Sequence, residues 1–385
     1  MIRIGAPILE RDPGGDTLAA DVGGRRLWFK APPHSLPGAR VEPFLVASLL
    51  GAMAGGETLE VDPGSPVSPR LLLGLERIQG IFHAWNPRLS RIAIQATPGA
   101  PPPTRDGVAS FFSGGVDATY TLLAHEREIS HLVFVHGLEI TLANEVLFAR
   151  ALAKNQESAD RYAKVLVPVK TNLRDFASAH NLSNYLYQGS LLGAVALALG
   201  FPRTYLAASL HYADLCPWGT HPLLDPLWST EGSEILHDGA EASRALKIAR
   251  LGEREGALES LRVCLANRED YNCGVCEKCL RTMIALRVLG LSSPAFPPLR
   301  SLRPIRRLRI HDQDDLPLFL ENHALALEKG DHAVARAIGA SIRRHRIRQI
   351  LKLADEAFAG GFVLRTWRRL RHPEGEDDPI LPRGG

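Results

Sequence analysis

The chain has 385 residues, of which 45% are hydrophobic and 23% are charged, and its formal net charge is +3. This composition is ordinary for a soluble globular protein, and so small a positive excess does not by itself imply a nucleic-acid partner. No apolar run after Met1 or elsewhere is long enough for a secretory signal or a membrane span, so we expect a cytoplasmic protein without membrane contact.

The first 97 residues predict a small α+β domain of their own. The hydrophobic pattern predicts strands at 2–9, 26–30, 58–61 and 91–96, and helices at 41–53 and 68–85. Residues 98–103 are proline-rich, and we place a linker at 98–107. An α/β domain is then predicted for 108–295, a basic helical region for 296–370 and a mobile tail for 371–385.

The segment from Val108 to Ala118 predicts a strand, a glycine-rich turn and the start of a helix. Gly114 and Gly115 let the backbone turn sharply and approach a ligand, and the first-turn N–H groups of a helix favour an anion. Ser113 offers a hydroxyl donor, and Asp117 suits the first helical turn or a metal bound to the same phosphates. The segment therefore predicts a phosphate site, although an ordinary glycine turn remains the alternative.

The motif Ser113-Gly114-Gly115-Val116-Asp117 is neither a Walker A loop nor a dinucleotide fingerprint. It resembles the PP-loop of the ATP pyrophosphatases, S-G-G-x-D-S, with Ala118 in place of the last serine. The resemblance implies that this loop holds the pyrophosphate of ATP while a substrate oxygen attacks the α-phosphate.

Strands and helices alternate from Val108 onward, which predicts a parallel sheet covered by helices on both faces. The predicted strands are 108–112, 132–136, 164–169 and 204–208, and the predicted helices include 144–153 and 189–199. Ligands bind beyond the carboxyl ends of such strands. His136 and Gly137 end the second strand and are expected to approach the adenosine portion of the nucleotide.

The loop after the fourth strand is rich in polar and aromatic residues. Asp225 and His221 are candidates for lining the site, and His211 is a weaker one, although solvated surface histidines are the alternative. Arg244 and Lys247 lie on the following predicted helix. They could reach phosphate or a substrate carboxylate, or form a solvated basic face.

Four of the five cysteines, Cys264, Cys273, Cys276 and Cys279, form the pattern C-x8-C-x2-C-x2-C. Four thiolates at short spacings are typical of a tetrahedral zinc site, and four protein ligands leave no open position, so the metal is expected to be structural. A redox-active C-x-x-C pair and an iron–sulfur cluster are the competing interpretations.

The loop and the cysteines together resemble 7-cyano-7-deazaguanine synthase over residues 108–290, including the run Cys273-Gly274-Val275-Cys276-Glu277-Lys278-Cys279. The resemblance implies a HUP-type α/β fold, structural Zn²⁺, Mg²⁺, and ATP cleaved to AMP and pyrophosphate. Members of the family adenylate a carboxylate on a 7-deazapurine, such as 7-carboxy-7-deazaguanine, and ammonia then gives an amide and finally a nitrile.

The loop motif, the strand ends, the following loop and helix, and the resemblance together give the candidate site residues. Ser113, Asp117 and Asp225 are the candidate catalytic residues. The predicted ATP-binding residues are Phe112, Ser113, Gly114, Gly115, Val116, Asp117, His136, Gly137, Gly189 and Lys247.

Three departures leave alternatives open: Ala118, the run Gln188-Gly189-Ser190 where the family has glycine and arginine, and about 100 residues at each end outside the family core. In one alternative the acceptor is a protein, as in anti-phage relatives. In another the chain is a PP-loop enzyme that thiolates tRNA, with Cys216, the one cysteine outside the zinc set, as the candidate sulfur carrier. A non-catalytic ATP-binding module is a further alternative. Oligomeric state stays open, with a homodimer among the arrangements considered.

The region after about residue 300 predicts helices at 318–327, 333–351 and 354–370. Two basic runs mark it, namely Arg343, Arg344, His345, Arg346 and Arg348, and then Arg365, Arg368, Arg369 and Arg371. Basic helices of this kind bind phosphate backbones or acidic partners, or else form solvated faces.

Overall fold

The structure is a computed structural model that describes residues 1–100, 104–179, 184–266, 270–308, 310 and 316–359. These residues form two compact units, one containing Met1–Tyr271 and the other beginning at Asn272. In the described residues, no helix is both long enough and apolar enough to cross a membrane. The protein is an α/β protein.

The first unit contains all the strands of the described chain. They are β1 (Ile2–Ile4), β2 (Ile8–Asp12), β3 (Gly15–Val22), β4 (Arg25–Ala31), β5 (Leu59–Val61), β6 (Ile94–Gln95), β7 (Val108–Phe111), β8 (His131–His136), β9 (Val165–Thr171), β10 (Arg203–Ala207) and β11 (Glu234–Asp238). They form one mostly parallel sheet in the order β11-β10-β7-β8-β9-β4-β3-β1-β5-β6, with β2 paired to β3.

Seven α-helices belong to the described residues of the first unit. They are α1 (Glu42–Gly55), α2 (Pro69–Trp85), α3 (Val116–Ala124), α4 (Glu145–Arg161), α5 (Leu173–Ser178), α6 (Asn184–Leu199) and α7 (Arg244–Gly252). Side-chain caps fix several starts: Ser68 accepts from Leu71 N–H at 3.0 Å, and Asn144 from Leu147 N–H at 3.0 Å.

Helices cover both faces of the sheet, as predicted. Ala109, Val133 and Leu206 pack into one apolar cluster that includes α1 and α6. Their strand neighbours Leu132 and Tyr205 pack into a second cluster, with side chains of α3 and α4. Because successive strand residues point to opposite faces, the two clusters lie on opposite sides of the sheet.

The N-terminal strands continue the sheet instead of forming a domain of their own. Phe29 of β4 pairs antiparallel with Thr171 of β9, and Lys30 pairs with Lys170. This differs from the separate domain predicted for 1–97, and the boundary between the units lies after Tyr271, not at 295. A pairing between strands 140 residues apart leaves no local signal in the sequence. Residues 101–103 of the predicted linker lie outside the described residues.

Several local predictions need correction. The predicted strand 2–9 is broken by Gly5, Ala6 and Pro7, since proline lacks the ladder N–H. Strands β3 and β11 were not predicted, because their sequences are rich in polar and small residues. Helix α4 continues to Arg161, beyond the predicted end at 153.

The second unit consists of helices in the described chain: α8 (Glu277–Val288), α9 (Arg303–Arg307), α10 (Leu316–Glu328) and α11 (His332–Ala359). Their shared core includes Ile284, Ile305, Phe319 and Ile338. The two helices predicted from 333 to 351 and from 354 are one continuous helix as far as Ala359. The second basic run and the predicted tail at 371–385 lie outside the described residues.

Candidate functional site

The predicted phosphate loop lies at the carboxyl end of β7, directly before α3. Strand β7 has β8 on one side and β10 on the other, and the chain leaves it first toward β8 and β9 and later toward β10 and β11. This is the point where the strand order reverses, and the carboxyl ends of the strands there open a crevice typical of ligand sites.

Glycine is required at the turn itself. Gly114 has a φ of +75°, a left-handed conformation that favours glycine. A Cβ at Gly114 would lie 2.9 Å from Oδ1 of the buried Asn155, and one at Gly115 would lie 3.3 Å from Ser113 Oγ. Helix α3 begins immediately afterwards, so its first N–H groups face the end of the loop.

Phe112 and Val116, which flank the loop, are core residues. Both side chains are buried, and Phe112 packs with Ala118 and Leu122 in the cluster between the sheet and α3. Phe112 and Val116 therefore anchor the loop, and only their backbone could meet a nucleotide. Ala118, which replaces the family serine, also faces this core.

Asp117 is bound by two cations from α7. Its carboxylate forms an ion pair with Arg244 and, through Oδ1, another with Lys247 Nζ at 3.1 Å. Lys247 is almost fully buried and also donates to the carbonyl of Ala208 at 2.7 Å, just past the end of β10. Burial alone would raise the pKa of Asp117, but Arg244 and Lys247 outweigh it and hold the pKa well below its usual range.

The loop, Arg244 and Lys247 are thus brought together at the crevice. Two cations that share the Asp117 carboxylate lie beside the loop together with the N-terminal end of α3, which leaves an excess of positive charge there. This arrangement suits a polyphosphate, and the sequence had singled out each of its members.

A segment after α7 packs against the loop, and the sequence analysis did not predict this contact. Arg262 N–H donates to the carbonyl of Gly114 at 2.8 Å, and Ser260 Oγ lies 2.7 Å from Ser158 Oγ of α4. The hydroxyl of Tyr271 donates to the carbonyl of Ser260 at 2.7 Å. Two of these three contacts end on a backbone carbonyl, which carries no residue-specific signal, so no motif indicated them.

His136 and Gly137 lie at the end of β8, as predicted, but their close contacts are with protein. His136 is buried, stacks on Phe148 with ring centroids 4.0 Å apart, and has Nε2 3.0 Å from the carbonyl of Thr141. Burial lowers the pKa of His136, so the ring is neutral near pH 7. Gly137 has a φ of +100°, and a Cβ there would lie 1.9 Å from the carbonyl oxygen of Thr171.

Gly189, a predicted nucleotide contact, packs tightly against protein backbone. A Cβ on Gly189 would lie 1.9 Å from the carbonyl oxygen of Gly219, and Gly219 N–H donates to the backbone carbonyl of Tyr185 at 2.8 Å. The loop after β10 therefore packs on α6 here, and this contact requires glycine at 189. Its contact with a nucleotide stays a prediction. His211 caps a short turn through Ala213 N–H, at 3.3 Å.

Asp225 lies in a separate buried group at the end of β11. Its Oδ2 is 2.7 Å from His237 Nδ1, and its Oδ1 accepts from His221 N–H at 3.3 Å. Burial raises the pKa of Asp225, against the effect of His237. His237 and Asp238 are neighbours in β11 and point to opposite faces, and Asp238 accepts from Thr121 of α3. Asp225 therefore lies on the sheet face away from α3.

The four clustered cysteines come together as predicted. Their Sγ atoms all lie within 4.8 Å of one another, and Cys264 and Cys279 are buried. A tetrahedral zinc–thiolate site needs sulfurs roughly 3.8 Å apart, so this group could hold a metal ion such as zinc. Gly274 has a φ of +68°, which forms the turn between Cys273 and Cys276. None of the five cysteines forms a disulfide, and Cys216 is half-buried outside the cluster.

Comparisons with family models, with curated proteins and with solved structures found no match to this chain.

Proposed function

We propose that this protein is an ATP-dependent, AMP-forming enzyme that activates a carboxylate as an adenylate. The observation that supports the proposal is the glycine loop at the strand-order reversal, with α3 beginning behind it and Arg244 and Lys247 held beside it by Asp117. A HUP-type fold is part of the same proposal, since strands β9-β8-β7-β10-β11 form a parallel sheet with the loop after the first of them in sequence.

The chemistry requires charge neutralisation and alignment more than acid–base catalysis. A carboxylate oxygen attacks the α-phosphorus, the bond from that phosphorus to the bridging oxygen breaks, and the electron pair leaves with pyrophosphate. Arg244, Lys247 and the N–H groups at the start of α3 stabilise the charge that develops on the pyrophosphate. Asp117 keeps the two cations beside the loop before the nucleotide binds.

Both metals of the proposal have protein groups that fit them. Mg²⁺ would enter with ATP, and Asp117 is the carboxylate at the loop able to ligate it, although both cations of α7 already contact this group. Zinc fits the four thiolates and would supply a fixed crosslink near the loop, not a reactive centre.

The proposed acceptor is the carboxylate of a 7-deazapurine such as 7-carboxy-7-deazaguanine, with ammonia giving an amide, nitrile or conjugate. This choice depends on the resemblance in the loop and the cysteine spacing. A protein or tRNA acceptor uses the same adenylation step, so the loop alone does not choose among them.

The test is incubation of the purified protein with ATP, Mg²⁺, ammonium and 7-carboxy-7-deazaguanine, with AMP and the purine followed by mass spectrometry. AMP with conversion of the purine supports both the mechanism and the substrate. AMP or a bound adenylate without conversion supports adenylation and directs the search to another acceptor.

A matched pair of variants controls the experiment. Lys247→Gln removes a buried cation at the loop, and Lys154→Gln removes an exposed one on α4. AMP formation should be lost only in Lys247→Gln. ATP bound without any AMP in the wild type, or equal rates in the two variants, contradicts the enzymatic proposal.

A further inference from the structure

The outer half of α11 lies outside the core of its unit. The inner half is packed: Val334, Ile338 and Ile342 are buried, and Ser341 Oγ donates to the carbonyl of Ile305 at 2.8 Å. After His345 the described side chains are all exposed or half-exposed as far as Phe358. A helical segment of this length with no fully buried side chain among its described residues is marginal in water on its own.

This outer half carries an ordered apolar stripe. The side chains of Ile347, Ile350, Leu351 and Phe358 are 56%, 65%, 64% and 91% exposed. With the half-exposed Ala354 they follow the spacing i, i+3, i+4, i+7 and i+11, which places them on one face of the helix. Large apolar side chains gathered on one exposed face mark an interaction surface.

Cations border the stripe on both sides. Arg344, Arg348 and Lys352, spaced by four residues, form a row along one edge, and Arg346 lies beyond the other edge. Asp355 lies on the same edge as the row, and Arg344 also donates to the carbonyl of Arg306. The sequence has no acidic residue between Asp331 and Asp355. All the cations named here are exposed.

We propose that the stripe Ile347–Phe358 docks an acidic amphipathic helix of a protein partner. The stripe has the width of the apolar face that one helix buries against another. The basic residues at its borders would pair with acidic residues at the corresponding positions of a facing helix. A second copy would bring the same cations together along the seam. Nucleic acid would use the cations but leave the apolar side chains exposed to water. The surface is independent of the proposed ATP chemistry.

The test measures fluorescence anisotropy of a labelled four-heptad peptide, with Leu at the seam positions and Glu at the bordering positions, against the full-length protein. A peptide of the same composition in shuffled order is the probe control. Leu351→Glu lies on the stripe, and Leu353→Glu lies off it with the same 64% exposure. Since burying one leucine accounts for roughly tenfold or more in affinity, Leu351→Glu should weaken binding by about that factor while Leu353→Glu leaves it nearly unchanged.

Three results would overturn the proposal. The peptide fails to bind, or it binds no better than the shuffled peptide. The two variants lose affinity equally, so that the stripe has no special role. The third result is that the wild type binds phosphatidylserine-containing vesicles, or forms a dimer in sedimentation analysis, that Leu351→Glu abolishes this binding or dimer, and that the peptide does not compete with it. That result would assign the stripe to a membrane or to a second copy of the chain. Circular dichroism of both variants checks that α11 remains helical.

Discussion

Asp117 and Asp225 lie at the same edge of one sheet and have opposite environments. Asp117 is partly exposed and contacts Arg244 and Lys247, which hold its pKa low. Asp225 is fully buried and contacts His237, and burial raises its pKa. The first carboxylate is kept charged by two cations beside the glycine loop, whereas the second is paired with a buried histidine. Residue type alone therefore did not distinguish the environments of the two aspartates.

The largest effect is expected from the cysteines, because structural zinc sites contribute on the order of 10 kcal/mol in small domains. Cys279→Ser should lose bound zinc and markedly lower the midpoint of thermal unfolding, as measured by metal analysis and calorimetry. Cys264 follows Arg262 by two residues, and Arg262 contacts Gly114, so ATP binding should weaken as well. Cys216→Ser is the matched control, and equal zinc content in the two variants would contradict the four-cysteine site.

Asp117→Ala should lower the rate of AMP formation by about 100-fold or more, because it releases the two cations that neutralise the pyrophosphate. The fold should survive, since the carboxylate is not part of the core. Steady-state AMP release and circular dichroism measure the two quantities. Activity within a factor of a few of wild type would show that Asp117 does not organise the site.

Asp225→Ala should give the reverse result, lowering the free energy of unfolding by about 3 kcal/mol because His237 is left buried without its partner. Urea unfolding measures this loss. AMP formation in the fraction that remains folded should change little. A large loss of activity with unchanged stability would instead make Asp225 catalytic, the role that the sequence predicted for it.

The smallest effect concerns pH. Burial, with His237 as a second cause, lowers the pKa of His221 to about 4 from 6.5. Between those values the unfolded chain binds a proton that the folded chain does not, so stability should fall as pH falls, by up to about 1.4 kcal/mol per pH unit. Urea unfolding of the wild type and of His221→Gln between pH 4 and 6.5 isolates the contribution of His221 to stability. A difference in the free energy of unfolding between the two proteins that does not vary with pH would contradict the prediction.

Some features were predictable because their signals are local. The loop needed two glycines between a β-prone run and a helix, and the structure shows that Gly114 adopts a left-handed conformation there. The cysteine spacing also predicted the cluster, since each C-x-x-C step brings two sulfurs to one side of a turn. Helix α2 followed from apolar periodicity in the same way.

Other features had no local signal. Gly137 and Gly189 were predicted as nucleotide contacts, and the structure adds that the absence of a Cβ at each makes room for the carbonyls of Thr171 and Gly219. Asn155, in mid-helix, lies against the loop, and nothing in its neighbourhood in the sequence indicates that position.

The sequence by itself determined the alternation of strands and helices after Val108, the glycine turn at Ser113–Asp117 and the cluster of four cysteines, because short-range spacing controls all three. Only the tertiary structure decided that β4 pairs with β9 and so joins the N-terminal strands to the same sheet. It also placed Arg244 and Lys247 on Asp117 and His237 on Asp225. Such contacts depend on long-range packing, and packing lowers the pKa of Asp117 and raises that of Asp225.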